Sequence, residues 1–221
     1  MWQALYDELH DHGFTVIAVA LDADREAARP WIEAARPSYP VPIDTAHRVA
    51  ELYNIVNVPQ AVWIDEAGRM VRPPETAGAY EAFRSMDLAT RTVPDAEAAK
   101  AQSARQLYLA AIRDWVRHGA DSRFALSADA VRAQLARPSD EIARAHAHAR
   151  LGLHLLADGR TDEAADQLAQ ASRLHPDSWA IWRQAAAKNE MGLAAGPEFW
   201  ARVQALGERR YYPPADMDGM P

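Results

Sequence analysis

The chain has 221 residues, and its formal net charge of -7 disfavours a general nucleic-acid binder, because phosphate contacts need clustered Lys and Arg. It contains no cysteine, which excludes disulfides, thiolate nucleophiles and cysteine-bound metals within these residues. Hydrophobic residues make up 49%, enough for the core of one medium domain or two small ones.

The sequence carries no signal for a membrane span or for secretion. No apolar run approaches the ~18 residues that a spanning helix needs. No basic segment followed by an apolar stretch marks a signal peptide at the N-terminus. We therefore expect the chain as given to be cytoplasmic, and an envelope location follows if a signal sequence was lost with the N-terminus.

The chain begins with patterns that alternate between helix and strand. Residues 2–9 carry apolar side chains at helical spacing, and Gly13 is suited to end that helix because glycine tolerates positive φ. Residues 15–22 are continuously apolar, which predicts a strand buried on both faces, as in a parallel sheet. A second helix is predicted over 24–36, and Pro30 should kink it or mark its real start.

The next segment predicts extended chain and a hairpin. Residues 39–44 read YPVPID, and each proline pushes its predecessor out of the helical region. A short helix follows from about Ala46. Strands over 61–64 and 69–72 are joined by a turn with glycine, and the prolines at 73–74 should end the second strand.

This order of elements, with YNIVNVPQAVWIDEAGRMV over 53–71, resembles a known family. The likeness is to the ResA/TlpA-like thiol–disulfide oxidoreductases, in the thioredoxin-fold group near the AhpC/TSA peroxidases, and it covers about residues 1–90. The resemblance implies an α/β thioredoxin-like domain in which Pro59 matches the cis-proline. That proline shapes the loop facing the redox pair and leaves the backbone of Val58 free to pair with an extended substrate. The alternative is that Pro59 merely starts a strand.

The resemblance also shows what is missing. The family carries a Cys-x-x-Cys motif at the N-terminus of the first helix, after a strand, where the helix dipole lowers the thiol pKa. We expect the first strand and this motif, with Cys or selenocysteine as nucleophile, to lie upstream of Met1, in a record truncated at the N-terminus. Val58 and Pro59 are then the candidate substrate-binding residues, and no catalytic, cofactor or metal residue is assigned in this chain.

Two functions of different class follow. The complete gene product is expected to be a thiol–disulfide oxidoreductase or peroxide reductase, with a disulfide-containing or peroxide substrate and a thiol reductant, and this chain alone is expected to be inactive. The alternative is a redox-inactive thioredoxin-like module that binds a protein partner. No cofactor is implied by either function.

The second half of the chain predicts a different architecture. Residues 91–99 are predicted to be a linker, and residues 100–210 are alanine-rich with helical periodicity. Ser127 is a plausible N-cap within this helical domain. The tail over 211–221 is rich in Pro, Gly and Asp, which predicts disorder.

Residues 145–178 fit one tetratricopeptide repeat (TPR). Gly152 and Ala164 stand at the small positions that let two helices pack closely, and the turn between the helices falls at 158–160. Pro176 fits the end of the repeat. A TPR-like surface either binds a partner protein or serves as a scaffold, and the sequence favours neither.

Other polar residues are discounted as sites. His146 and His148 point in nearly opposite directions on one helix and cannot share an ion, so no metal site is assigned. Asp22 and Asp44 end predicted strands, where a carboxylate is more often the N-cap of the following helix.

Overall fold

The computed structural model describes residues 1–135 and 137–221. The chain divides into two compact units, and each of them is built from several stretches of sequence. The first unit comprises Met1–Tyr6, Thr15–Val58 and Arg137–Trp200. The second unit comprises Asp7–Phe14, Pro59–Ala136 and Ala201–Pro221.

The first helix has the predicted bounds. Helix α1 spans Trp2–Leu9 and continues as a 3-10 turn over His10–His12. Gly13 ends it with φ 79°, and its N–H donates to the carbonyl of His10 at 3.3 Å. This positive φ is the reason that the position favours glycine.

The strand predicted over 15–22 is wrong. The N–H groups of Ala18 and Ala20 donate to the carbonyls of Pro40 and Pro42, but only an isolated parallel bridge forms, between Ala20 and Ile43. None of the residues over 15–22 is buried, and Ile17 is 62% exposed. An apolar run becomes a buried strand only when strands pair on both sides and helices cover both faces, which local sequence cannot supply.

Two further helices follow in the first unit. Helix α2 spans Arg25–Ala35 with Pro30 inside it, as predicted, and Asp24 caps it by accepting the N–H of Glu26 at 2.9 Å. Helix α3 spans Arg48–Leu52. The Asp44 carboxylate accepts the first N–H groups of α3, so its predicted role as a cap is confirmed.

The predicted hairpin is present with a longer second strand. Strands β1, Gln60–Ile64, and β2, Met70–Thr76, pair antiparallel in a two-stranded sheet. The prolines at 73–74 lie inside β2 and do not end it, contrary to the prediction. They are tolerated because the register shifts between the pairs Ala61–Glu75 and Trp63–Arg72, where the ladder needs no regular N–H donor.

A long helix packs on this hairpin in the second unit. Helix α4 spans Asp95–His118 and thus begins inside the segment predicted as a linker. Trp63 is stacked on Trp115 with ring centroids 5.1 Å apart, and its indole N–H donates to the Tyr108 hydroxyl at 2.9 Å. Helix α5, Ala128–Gln134, is capped by Ser127 as predicted. The domain boundaries drawn from the sequence stay predictions.

The helical part of the first unit is an antiparallel hairpin followed by a shorter helix. Helices α6, Asp140–Ala157, and α7, Thr161–Leu174, are joined by the turn at 158–160. A Cβ atom on Gly152 would lie 2.7 Å from Cγ of Leu168, so the close approach predicted at this glycine is confirmed. Helices α8, Trp179–Ala185, and α9, Pro197–Gln204, follow.

The segment predicted as a disordered tail packs in the second unit instead. Tyr211, Ala215 and Met217 are buried. The Tyr211 ring meets the Phe83 ring edge to face at 5.0 Å, and the carbonyl of Asp216 accepts a hydrogen bond from Arg72 at 2.8 Å. The composition of residues 211–221 gave no sign of these contacts, because Phe83 and Arg72 lie far away along the chain.

Candidate functional site

Val58 and Pro59, the two residues predicted to bind substrate, follow α3 through a short loop. Val58 is the last residue of its stretch of the first unit and is 43% exposed. Its backbone N–H donates to Oδ1 of Asn57 at 2.9 Å. Pro59 begins the following stretch of the second unit, and its carbonyl accepts the N–H of Ala77 at 3.2 Å. Whether either residue touches a substrate stays a prediction.

The Asn57 side chain also accepts a hydrogen bond from helix α8 of the first unit. Its side chain is 3% exposed, and Oδ1 also accepts a hydrogen bond from Nη1 of Arg183 at 3.0 Å. The Arg183 guanidinium lies 5.9 Å from the Trp179 ring centroid, within the range of a cation–π contact. One amide oxygen of Asn57 thus receives two donors, from the backbone of Val58 and from α8.

The backbone before Asn57 is fixed to the same helix. The carbonyl of Val56 accepts the N–H of Ala180 in the first turn of α8 at 3.0 Å. The first N–H groups of a helix have no partner within the helix, so an acceptor from elsewhere is stabilising there. Ile55 is 8% exposed and its N–H donates to the carbonyl of Ala50.

Asn54, the first residue of the loop, contacts two histidines that the sequence analysis did not place together. Asn54 has φ 48°, and its Oδ1 lies 3.4 Å from Nε2 of His146 and 3.3 Å from Nε2 of His175. The two imidazole rings meet edge to face, with centroids 6.0 Å apart. Residues 54–58 are therefore held by α6, by the end of α7 and by α8, and we call them the 54–58 loop.

The histidine pair has perturbed protonation. Burial lowers the pKa of His146, and the nearby Glu51 carboxylate offsets part of that effect. Burial also lowers the pKa of His175, the neighbouring His146 lowers it further, and Asp177 acts in the opposite direction. Both imidazoles are thereby favoured in the neutral form.

Asp22 and His47 are two further titratable residues of the first unit. Asp22 accepts the N–H of Asp24 at 3.1 Å, which is a turn contact. His47 has φ 52°, and its Nε2 is buried and has no hydrogen-bond partner among the described residues. Burial lowers the pKa of His47.

The residue types present limit the chemistry. The chain has no thiol to act as a nucleophile. Over residues 1–135 and 137–221, no three His, Asp or Glu side chains are grouped so that they could hold a metal ion. In the same residues, no helix is both long and apolar enough to cross a membrane. What the loop presents is the exposed apolar side chain of Val58, beside a backbone N–H that already donates to Asn57.

Comparison with known proteins gives one match, to the first part of the chain. The AhpC/TSA family model matches residues 1–72, which include Val58 and Pro59. This match supports a thioredoxin-fold redoxin domain in that part of the chain. No curated protein matches the chain, and no solved structure does so either.

Sequence reasoning proposed Val58 and Pro59 as candidates and missed the residues that contact the loop before them. Asn57 directly precedes Val58, two positions before Pro59, and asparagine is a common turn residue. Arg183 and His175 are more than a hundred residues away along the chain. No local pattern connects them to the loop.

Proposed function

We propose that the protein is a thioredoxin-like thiol–disulfide oxidoreductase or redoxin whose nucleophile, Cys or selenocysteine, is encoded upstream of these 221 residues. The observation that carries this proposal is the match of residues 1–72 to the AhpC/TSA family model. The chain itself has no cysteine, so the proposed reaction needs a nucleophile that these 221 residues do not contain.

In such a reaction the nucleophile, as thiolate or selenolate, attacks one sulfur of a substrate disulfide and the other sulfur leaves as a thiolate. A thiol reductant then resolves the mixed disulfide. Val58 and Pro59 would border the substrate, with the Val58 backbone pairing with an extended substrate segment. The exposure of Val58 supports this role. Membership of the ResA/TlpA subgroup is also part of what we propose.

The α6–α7 hairpin supports a second element of the proposal, a TPR-like surface that binds a protein partner. Gly152 of α6 packs so closely on Leu168 of α7 that a Cβ there would collide with it, as the small position of a TPR hairpin requires. Leu151 on α6 is 45% exposed. If the nucleophile is absent from the gene product, this surface and the 54–58 loop define the alternative function, a redox-inactive protein-binding module.

The decisive experiment compares two proteins. One is the 221-residue chain, and the other is the product of the native gene, purified from its source and characterised by intact mass. With dithiothreitol, the native product should reduce insulin disulfides or turn over peroxide, and the 221-residue chain should do neither.

The native product should carry an in-frame Cys-x-x-Cys, or a selenocysteine encoded by UGA, within about ten codons of Met1. Reading about a hundred nucleotides upstream checks this independently. A native product that begins at Met1 and has no activity contradicts the redox proposal and leaves the binding module.

A further inference from the structure

The N–H of Val58 is the donor that an extended substrate would need, and it already has an acceptor. Asn57 Oδ1 lies 2.9 Å from this nitrogen. A backbone amide carries one hydrogen, so a substrate carbonyl and the Asn57 side chain compete for it. The contact is therefore a block on backbone pairing at Val58.

The blocking side chain is anchored. Asn57 is 3% exposed, and Arg183 donates to the same Oδ1 at 3.0 Å. Arg183 belongs to α8, whose Ala180 N–H bonds the carbonyl of Val56 just before Asn57. Both the side chain and its backbone are thus tied to one helix. To rotate away from Val58, the Asn57 side chain has to break its hydrogen bond with Arg183 of α8.

We propose that Asn57 is a latch on the Val58 N–H, and that Arg183 is a positioning residue that holds the latch closed. An extended peptide segment pairs with Val58 after one of its backbone carbonyl oxygens replaces Asn57 Oδ1. This inference rests on the proposed function, which assigns Val58 to substrate binding. The helical segment carrying α8 thereby sets how readily the 54–58 loop accepts a substrate.

The latch makes opposite predictions for two substitutions of one residue. Asn57→Ala removes the acceptor and frees the N–H. Asn57→Asp places a carboxylate against Arg183, and because charge-assisted hydrogen bonds are stronger, the latch closes more tightly. Arg183→Ala acts in the same direction as Asn57→Ala but more weakly, since the Asn57 oxygen stays near Val58.

Amide hydrogen exchange of Val58, followed by NMR on the 221-residue chain, tests the latch itself. Asn57→Ala should speed exchange roughly 3- to 10-fold, the range expected for loss of one hydrogen bond, and Asn57→Asp should slow it. The matched control is Arg173→Ala on α7, whose guanidinium bonds Gln170 and not the loop. It should leave Val58 exchange unchanged. Unchanged exchange in Asn57→Ala, or faster exchange in both Asn57 variants, overturns the proposal.

Insulin reduction by the native gene product tests the effect on substrate. At low insulin concentration, Asn57→Ala should raise the rate of insulin reduction and Asn57→Asp should lower it. Equal rates in an active native product overturn the latch but leave the redox function intact. Absence of reduction in every protein, including the unsubstituted one, contradicts the redox function, and the exchange experiment still decides whether Asn57 closes over Val58.

Discussion

Arg72 and Glu75 form a buried ion pair, with Nε of Arg72 2.6 Å from Oε1 of Glu75 and side-chain exposures of 2% and 9%. Nη2 of Arg72 also donates to Oε2 of Glu75 at 2.9 Å. Nη1 donates to the carbonyl of Phe124 at 2.9 Å, and Nη2 donates to the carbonyl of Asp216 at 2.8 Å. One arginine on β2 thus joins the hairpin to a loop after α4 and to the C-terminal segment. Burial raises the pKa of Glu75, and Arg72 offsets part of that rise.

Arg72→Met should strongly destabilise the protein. It leaves the Glu75 carboxylate buried without its partner, and breaking a buried pair in this way costs about 3–5 kcal/mol. Urea denaturation at pH 7.5 measures the loss. Because an unpaired buried carboxylate is more easily protonated, the deficit should shrink as the pH falls towards 5.

Two variants control this prediction. Arg72→Met with Glu75→Leu removes both charges and should recover much of the stability. Arg69→Met breaks the exposed pair with Asp65 and should leave the urea midpoint nearly unchanged, since exposed pairs contribute little. Equal losses in Arg72→Met and Arg69→Met would contradict the role given to the buried pair.

Gly152→Ala should destabilise the α6–α7 hairpin. The added Cβ would lie 2.7 Å from Cγ and 2.9 Å from Cδ2 of Leu168, and overpacking of this kind costs about 1–3 kcal/mol. Gly196→Ala is the control, because no atom lies within 4 Å of its Cβ position. Adding Leu168→Ala should relieve the clash in Gly152→Ala, so that the two effects are not additive in thermal unfolding.

Removal of residues 212–221 should destabilise the protein rather than leave it unchanged. The deletion exposes surface covered by Ala215 and Met217 and takes away the Asp216 carbonyl that Arg72 uses. The loss should reach about 2 kcal/mol or more, from burial of the Met217 side chain and one charged hydrogen bond. Urea denaturation of the shortened and full chains checks it, and identical curves would support the disorder that composition predicted.

The sequence predicted local structure well because local structure depends on neighbours. The helix over Trp2–Leu9 and the Ser127 cap follow from spacing and capping chemistry within a few residues. The strand over 15–22 failed because burial depends on which segments lie alongside it. Among the described residues, it pairs through a single bridge with the segment around Ile43.

The residues around the candidate site also divide into those that a local motif indicates and those that only the fold brings together. Val58 and Pro59 could be proposed as candidates because a resemblance covers a contiguous motif, and their role in binding stays a prediction. Asn57, Arg183 and the histidine pair could not be proposed, since they are joined by side-chain contacts across the fold. A single sequence offers no signal for such contacts, whereas the backbone path of the 54–58 loop places them together.

The stability of the protein should fall as the pH is lowered from 7.5 to 5, and the histidine pair should supply part of that fall. Burial lowers the pKa of His146 and of His175 in the folded state. A histidine with a lowered folded pKa binds its proton more readily after unfolding. Its contribution to stability is complete above the ordinary histidine pKa of about 6.5 and is lost as the pH falls below it.

Replacing both residues, in His146→Gln with His175→Gln, should flatten the dependence of the urea midpoint on pH between 7.5 and 5. Glutamine keeps a side-chain donor for Asn54 but has no proton to gain in this range. His47, whose pKa burial also lowers, should account for slope that remains. His148→Gln is the matched control, since His148 lies on the same helix and faces Gln167 at 2.7 Å instead of Asn54. A slope equally steep in the double variant and in His148→Gln would show that the pair does not couple protonation to folding.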